Sequence, residues 1–260
     1  MRSRPLAWCA VIFLAAIGCA VAVRRMVHLV PVLIGGYHAP AVASNPAVAQ
    51  LAALDDLLAR YPILTLVHIV PGLLFMLLGP WQFCETIRAR HLRWHRWNGR
   101  IFVCCGVVIG VSALVMSFAM PAIGGMNQAA ATTLFGAFFL FALGKAVWHI
   151  RRKEVALHGE WMIRAFAVGL AVATIRPIIG IFFATSRITG LRPHEFFGTA
   201  FWIGFTVQLM AAEAWIHWTG EGRKMEKREL KVGSQETLRQ ATEKSRSLTA
   251  FGMTNQTLEK

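Results

Sequence analysis

Apolar residues in this chain come in long runs and not at amphipathic spacing. The runs are about 20 residues each and are separated by short charged clusters; about 20 apolar residues is what one helix needs to cross a hydrocarbon core. The pattern predicts an all-α, polytopic transmembrane helical bundle of about six spans. These fall at about Leu6–Val23, Tyr61–Gly79, Ile101–Met120, Ala129–Ile150, Trp161–Ala184 and Phe197–Trp218. Pro71-Gly72 interrupts the second run and predicts a kink there. Between the first two spans, Asn45-Pro46 is a helix-start signal. Val48, Leu51, Leu54 and Leu58 follow at helical spacing, which predicts a short amphipathic helix on the outer surface.

Charge then orients the bundle. Arg2 and Arg4 precede the first span; Arg88, Arg90, Arg93, Arg96 and Arg100 fill one short loop; Arg151-Arg152-Lys153 closes the fourth span. Basic residues at span ends mark the cytoplasmic side, so both termini are expected in the cytoplasm. The first span, basic and then apolar like a signal peptide, is read as a retained anchor. The net charge of +14 therefore reports topology. It does not point to nucleic acid, since a lipid-embedded bundle offers no element to enter a groove. Trp81, Trp94, Trp97, Trp148, Trp161, Trp215 and Trp218 lie near the same boundaries, as an interfacial belt does. Five cysteines without Cys-x-x-Cys spacing imply neither a disulfide framework nor a zinc site. The expected organisation is an anchor and outer segment over 1–60, a four-helix core over 61–184, a sixth helix over 185–218 and a charged, disordered cytoplasmic tail over 219–260. That tail is too polar to bury an apolar face, and its basic part is drawn to anionic lipid.

Ionisable residues at membrane depth are costly, so they mark where chemistry can sit. His68 and Arg176 fall at similar depth in the outer half. They read either as a site for an anionic group or as side chains bonded to carbonyls freed by Pro71 and Pro177. At the inner face, His91, Lys145 and His149 read as interfacial residues. His95 and His158 form a pattern: His95-Arg-Trp-Asn-Gly-Arg100-Ile-Phe102 opens the third span and His158-Gly-Glu-Trp-Met-Ile-Arg164-Ala-Phe166 the fifth. Both run His, Trp, Arg, Phe and enter the bilayer from one side. This suggests a direct repeat of two hairpins, spans two and three against four and five. It predicts His95 and His158 close together, as ligands for haem iron or a metal ion. Arg100 and Arg164 would then neutralise haem propionates or hold a quinone headgroup. No phosphate-binding loop, Gly-x-Ser-x-Gly or His-Glu-x-x-His motif occurs.

Gly79-Pro80-Trp81-Gln82-Phe83, His95-Arg96-Trp97-Asn98-Gly99-Arg100, His158-Gly159-Glu160-Trp161-Met162-Ile163-Arg164 and Ala173-Thr174-Ile175-Arg176 together resemble the membrane proteins grouped as domain of unknown function 2306. The resemblance covers roughly Leu64 to Phe183. It implies a bacterial inner-membrane bundle and family-type positions at His68, His95, Arg100, His158, Arg164 and Arg176, and it supplies no reaction. In plan the group is similar to transmembrane b-type cytochromes, but those set ligand pairs deep in the bilayer and His68 has no second histidine at its depth. The expected function is binding of haem b or quinone for electron transfer with a redox partner. The alternatives are a small transporter or channel subunit, and a structural or sensory protein without its own chemistry. The expected partners are membrane lipids and not nucleic acid.

Overall fold

The computed structural model describes residues 3–35 and 55–220. The amphipathic helix expected from Asn45 lies mostly outside the described residues, as does the tail beyond 220. The described part is helical: α1 (Ser3–Gly35), α2 (Pro62–Phe83), α3 (Glu85–Arg90), α4 (Leu92–Ala119), α5 (Gly125–Arg151), α6 (Val155–Thr189) and α7 (193–220), with one more helical turn over 55–60 before α2. By contacts the chain falls into two compact units, Met1–Ala212 and Glu213–Lys260. In the second, the Trp215 and Trp218 rings lie 5.5 Å apart.

Among the described residues five helices, α1, α2, α4, α5 and α6, are long and apolar enough to cross a membrane. The sixth expected span falls within α7, outside those five. The all-α polytopic bundle read from the apolar runs is thus the architecture. The helices overrun the apolar stretches, however. α1 continues through Arg24 and Arg25 to Gly35, α2 runs unbroken through Pro71 and Pro80 to Phe83, and α6 starts at Val155 and ends at Thr189. Hydropathy senses only the part of a helix that meets hydrocarbon, while backbone bonding carries the helix on into the headgroup layer. The arginine loop is likewise short helix: Cys84 and His91 are the only breaks between α2, α3 and α4.

Within the first unit α1 packs on α2 and α6, α2 on α4, α4 on α5 and α5 on α6, which closes a ring. Small residues line the seams: Ala131, Ala142, Ala146, Ala165 and Ala171 are all fully buried. Large apolar side chains such as Phe13, Ile63, Phe118 and Ile181 point outward. This inversion of the soluble pattern is what lipid selects, because hydrocarbon solvates large side chains while close helix contact needs small ones. The first part of α7 lies on α5 and α6, where Phe205 stacks on Phe135, Phe196 on Phe182, and Gln208 donates to Thr174 Oγ1 at 2.6 Å.

Inside the ring sit four phenylalanines, one from each core helix. Phe75 (α2) stacks on Phe102 (α4) at 4.1 Å between centroids and meets Phe139 (α5) and Phe166 (α6) at 5.7 and 5.8 Å. α2 meets α6 at Gly79, where a Cβ would fall 2.2 Å from the Phe166 ring. That ring is held by Phe75, Phe83 and Phe102 and cannot swing aside. Gly79→Ala is expected to destabilise by about 1–3 kcal/mol through overpacking, in spite of ~1 kcal/mol of better helix propensity. Gly144→Ala adds a methyl that meets nothing within 4 Å and should be neutral or stabilising. Thermal unfolding of both variants in one detergent compares them; equal shifts would contradict the close α2–α6 approach.

Candidate functional site

Two polar clusters interrupt the apolar interior, one at each end of the core. The first is at the basic end, where α2 gives way to α3 and α4 and where α5 turns into α6. The α5–α6 turn is tight. Lys153 adopts a positive φ of 64°, Arg152 and Lys153 donate backbone N–H groups to the last α5 carbonyls, and buried His149 bonds Glu154 through Nδ1 at 2.5 Å. His149 is therefore a structural clamp for this turn.

Across from the turn, Asn98 on α4 is buried and donates from Nδ2 to the Leu78 carbonyl and to Gln82 Oε1 of α2, both at 3.3 Å. The Gln82 amide in turn donates to His95 Nε2 at 3.5 Å. This places the His95 proton on Nδ1, and that N–H is buried without a hydrogen-bond partner, as is Asn98 Oδ1. His158 on α6 donates from Nδ1 to the Ala146 carbonyl of α5 at 2.9 Å, so its Nε2 keeps a lone pair. His95 and His158 are within electrostatic reach of each other. The cluster thus offers one unused donor and two unused acceptors. Buried polar groups left unmatched in this way are uncommon and ask for a ligand or water.

The two similar sequence segments adopt similar local geometry. Arg100 lies over the Trp97 ring at 5.0 Å and Arg164 over the Trp161 ring at 4.7 Å. The phenylalanines that follow, Phe102 and Phe166, are both buried and face each other at 5.9 Å. Phe75 precedes Phe102 by the same number of residues as Phe139 precedes Phe166, so the four-ring cluster also matches the two-hairpin repeat. Lys145 and Arg152 over the Trp148 ring, at 4.4 and 4.0 Å, extend this basic aromatic rim. Cations on indole faces are attracted by the ring quadrupole and suit the headgroup layer.

The second cluster lies toward the opposite end. His68 bonds Ser112 of α4 through Nδ1 at 2.9 Å. The buried Ser112 hydroxyl donates to the Val108 carbonyl at 2.7 Å, so the His68 ring is the donor in the pair. Arg176 is half-buried on α6, and the charges that act on it come from Arg24 and Arg25 on α1. Its Nε finds no freed carbonyl and no other hydrogen-bond partner among the described residues. Arg24 and Arg25 escaped the sequence reading because they follow the first apolar run and looked like loop residues. Asp55 explains their place in a helix: Arg24 grips both its carboxylate oxygens at 3.1 and 3.2 Å, Arg25 forms an ion pair with it, and His28 lies 3.9 Å away. Asp56 is taken by Arg60 at 3.0 Å. A shallow cleft nearby is lined by Asp56, Arg60, Tyr61 and the 121–123 turn; none of the candidate site residues lines it.

Among the described residues no group of three or more His, Cys, Asp or Glu side chains could hold a metal ion. The helices pack closely beside His95: a Cβ at Gly99 would fall 2.8 Å from the Gln82 amide and one at Gly79 2.2 Å from the Phe166 ring, which leaves little room for a porphyrin between α2 and its neighbours at these points.

Apolar spanning helices around a repeated four-helix core, with paired polar clusters at its ends, define a polytopic α-helical membrane protein. The family model described as "Predicted membrane protein (DUF2306)" matches residues 65–216, and the chain belongs to that family. No curated protein and no solved structure matches it.

Proposed function

We propose that the basic end of the core binds the headgroup of a membrane-soluble quinone, with His95 and His158 as its hydrogen-bonding and proton-carrying partners. The observation that carries this reading is the unpartnered, buried His95 Nδ1–H beside His158, whose Nε2 is free to accept. A quinone carbonyl is an acceptor and matches the first; a quinol hydroxyl is a donor and matches the second, or Asn98 Oδ1. A headgroup of one ring enters from the membrane edge past Trp97 and Trp161 with its tail in lipid, and it needs none of the interior that a porphyrin would occupy. Reduction of quinone to quinol takes up two electrons and two protons. The imidazoles would exchange the protons, and the electrons would pass to or from a separate redox partner. The transporter reading has no comparable support, since the interior between the two clusters is filled by phenylalanine.

The test uses the full chain in lipid nanodiscs. A short-tailed benzoquinone is expected to quench tryptophan fluorescence saturably. His95→Ala should weaken binding roughly tenfold or more by removing a charge-capable hydrogen bond, and His158→Ala should act likewise. Organic extracts of the purified protein should contain quinone. The absence of saturable quenching in the unmutated protein, or identical titrations in all three, would overturn the proposal. An absorption band of b-type haem lost in both variants would replace it with the haem reading.

A further inference from the structure

At the other end of the core, two guanidinium groups share one carboxylate and a third, that of Arg176, has no acid paired with it among the described residues. Arg24 and Arg25 both pair with Asp55, and α6, which carries Arg176, packs on α1, near enough for the Arg176 charge to act on both. Arg25 is 6% exposed, and Arg176 Nε is buried with no hydrogen-bond partner. A guanidinium does not deprotonate in a protein, so burial cannot be relieved by losing the charge. Among the described residues no other acid is seen to meet this charge. Between Arg25 and Glu85 the sequence contains only two acids, Asp55 and Asp56. The second belongs to Arg60. The 120–128 turn has no acid, and Glu195, after α6, accepts from the Arg192 backbone N–H at 2.6 Å. Among the described residues, the positive charge carried by Arg24, Arg25 and Arg176 therefore exceeds the counter-charge of Asp55.

We propose that Arg24, Arg25 and Arg176, between α1 and α6, form a binding site for a phosphate-type oxyanion. This site lies outside the quinone reading and stands without it. The α1 arginines are part-satisfied and positioned by Asp55. Arg176 contributes the unused N–H. Arg24, 41% exposed at its side chain, provides the opening through which the anion reaches the two inner groups. Planar guanidinium forks suit tetrahedral oxyanions, which they grip through paired N–H groups. Two sources carry this chemistry: the headgroup of an anionic phospholipid and a free soluble oxyanion.

The experiment compares the full chain with Arg176→Gln and Arg24→Gln in detergent. One arm adds inorganic phosphate and the other adds phosphatidylglycerol in mixed micelles. The thermal midpoint is followed against concentration, and co-purified lipid is counted by native mass spectrometry. A ligand that binds only the folded form raises the midpoint with concentration. A rise with phosphatidylglycerol alone, with one lipid retained in the spectrum, assigns the site to a lipid headgroup. A rise with inorganic phosphate assigns it to a soluble oxyanion. In either case Arg176→Gln should need at least about tenfold more ligand for the same rise. Arg24→Gln, altered at the exposed mouth, gives the same readout should Arg176→Gln fail to fold. No rise in either arm, or rises unchanged by the folded variants, would overturn the site.

Discussion

Phe75→Ala is expected to cause the largest loss of stability of any single truncation in the four-helix core. Phe75 is 1% exposed and touches rings from α4, α5 and α6, and its edge lies so near Gly169 that a Cβ there would come within 2.5 Å of it. Truncation leaves a cavity lined by three other phenylalanines, none of which can fill it without leaving its own partners. A large aromatic core truncation costs about 3–5 kcal/mol in water-soluble proteins. Part of that is transfer from water, which lipid-solvated helices never face, so roughly 3 kcal/mol is expected here. Phe118→Ala, at a side chain 77% exposed on the outer surface, should change stability by no more than about 0.5 kcal/mol. Unfolding midpoints in a single detergent give both numbers. Similar losses at the two positions would mean that the ring cluster does not hold the core.

Asp55→Asn is the second large effect. It removes the one carboxylate that holds Arg24 and Arg25, and leaves Arg25 buried and charged. Breaking a buried pair from one side costs about 3–5 kcal/mol, mostly from the charge left behind. The double variant Arg25→Gln with Asp55→Asn should recover much of the loss, because fewer uncompensated guanidinium groups remain. Recovery is the diagnostic result: if the double variant is as unstable as Asp55→Asn alone, the pair does not couple α1 to the 55–60 turn. Excess phosphate should lessen the Asp55→Asn defect if the oxyanion site exists, since a bound anion supplies the missing negative charge.

How much of this was legible beforehand differs from residue to residue. The paired His-Trp-Arg-Phe segments were visible because a repeat is a one-dimensional feature, and the structure gives both the same Arg-over-Trp stacking. That His149 would be a clamp was not visible. Its meaning depends on Glu154 swinging back across a turn built on the positive φ of Lys153. Gln82 stood in a motif without a role until Asn98 and His95 came to meet it from α4. Arg24 and Arg25 fell to the outer segment, because hydropathy counts charges and does not know whether a carboxylate waits opposite.

By itself the sequence determined the membrane setting, the helical class, the spacing of the spans and the family. The first three follow from a local rule: lipid demands about 20 apolar residues per crossing and internally satisfied backbone, and both conditions are written along the chain; the family came from the resemblance of its motifs. Only the tertiary structure decided which charges are matched. Asp55 meets Arg24 and Arg25, Arg176 lacks such a partner, and His95 keeps an unused N–H next to His158. These depend on helices far apart in sequence arriving side by side. At that contact a polar atom is either satisfied or left for a ligand, and no single helix contains the information.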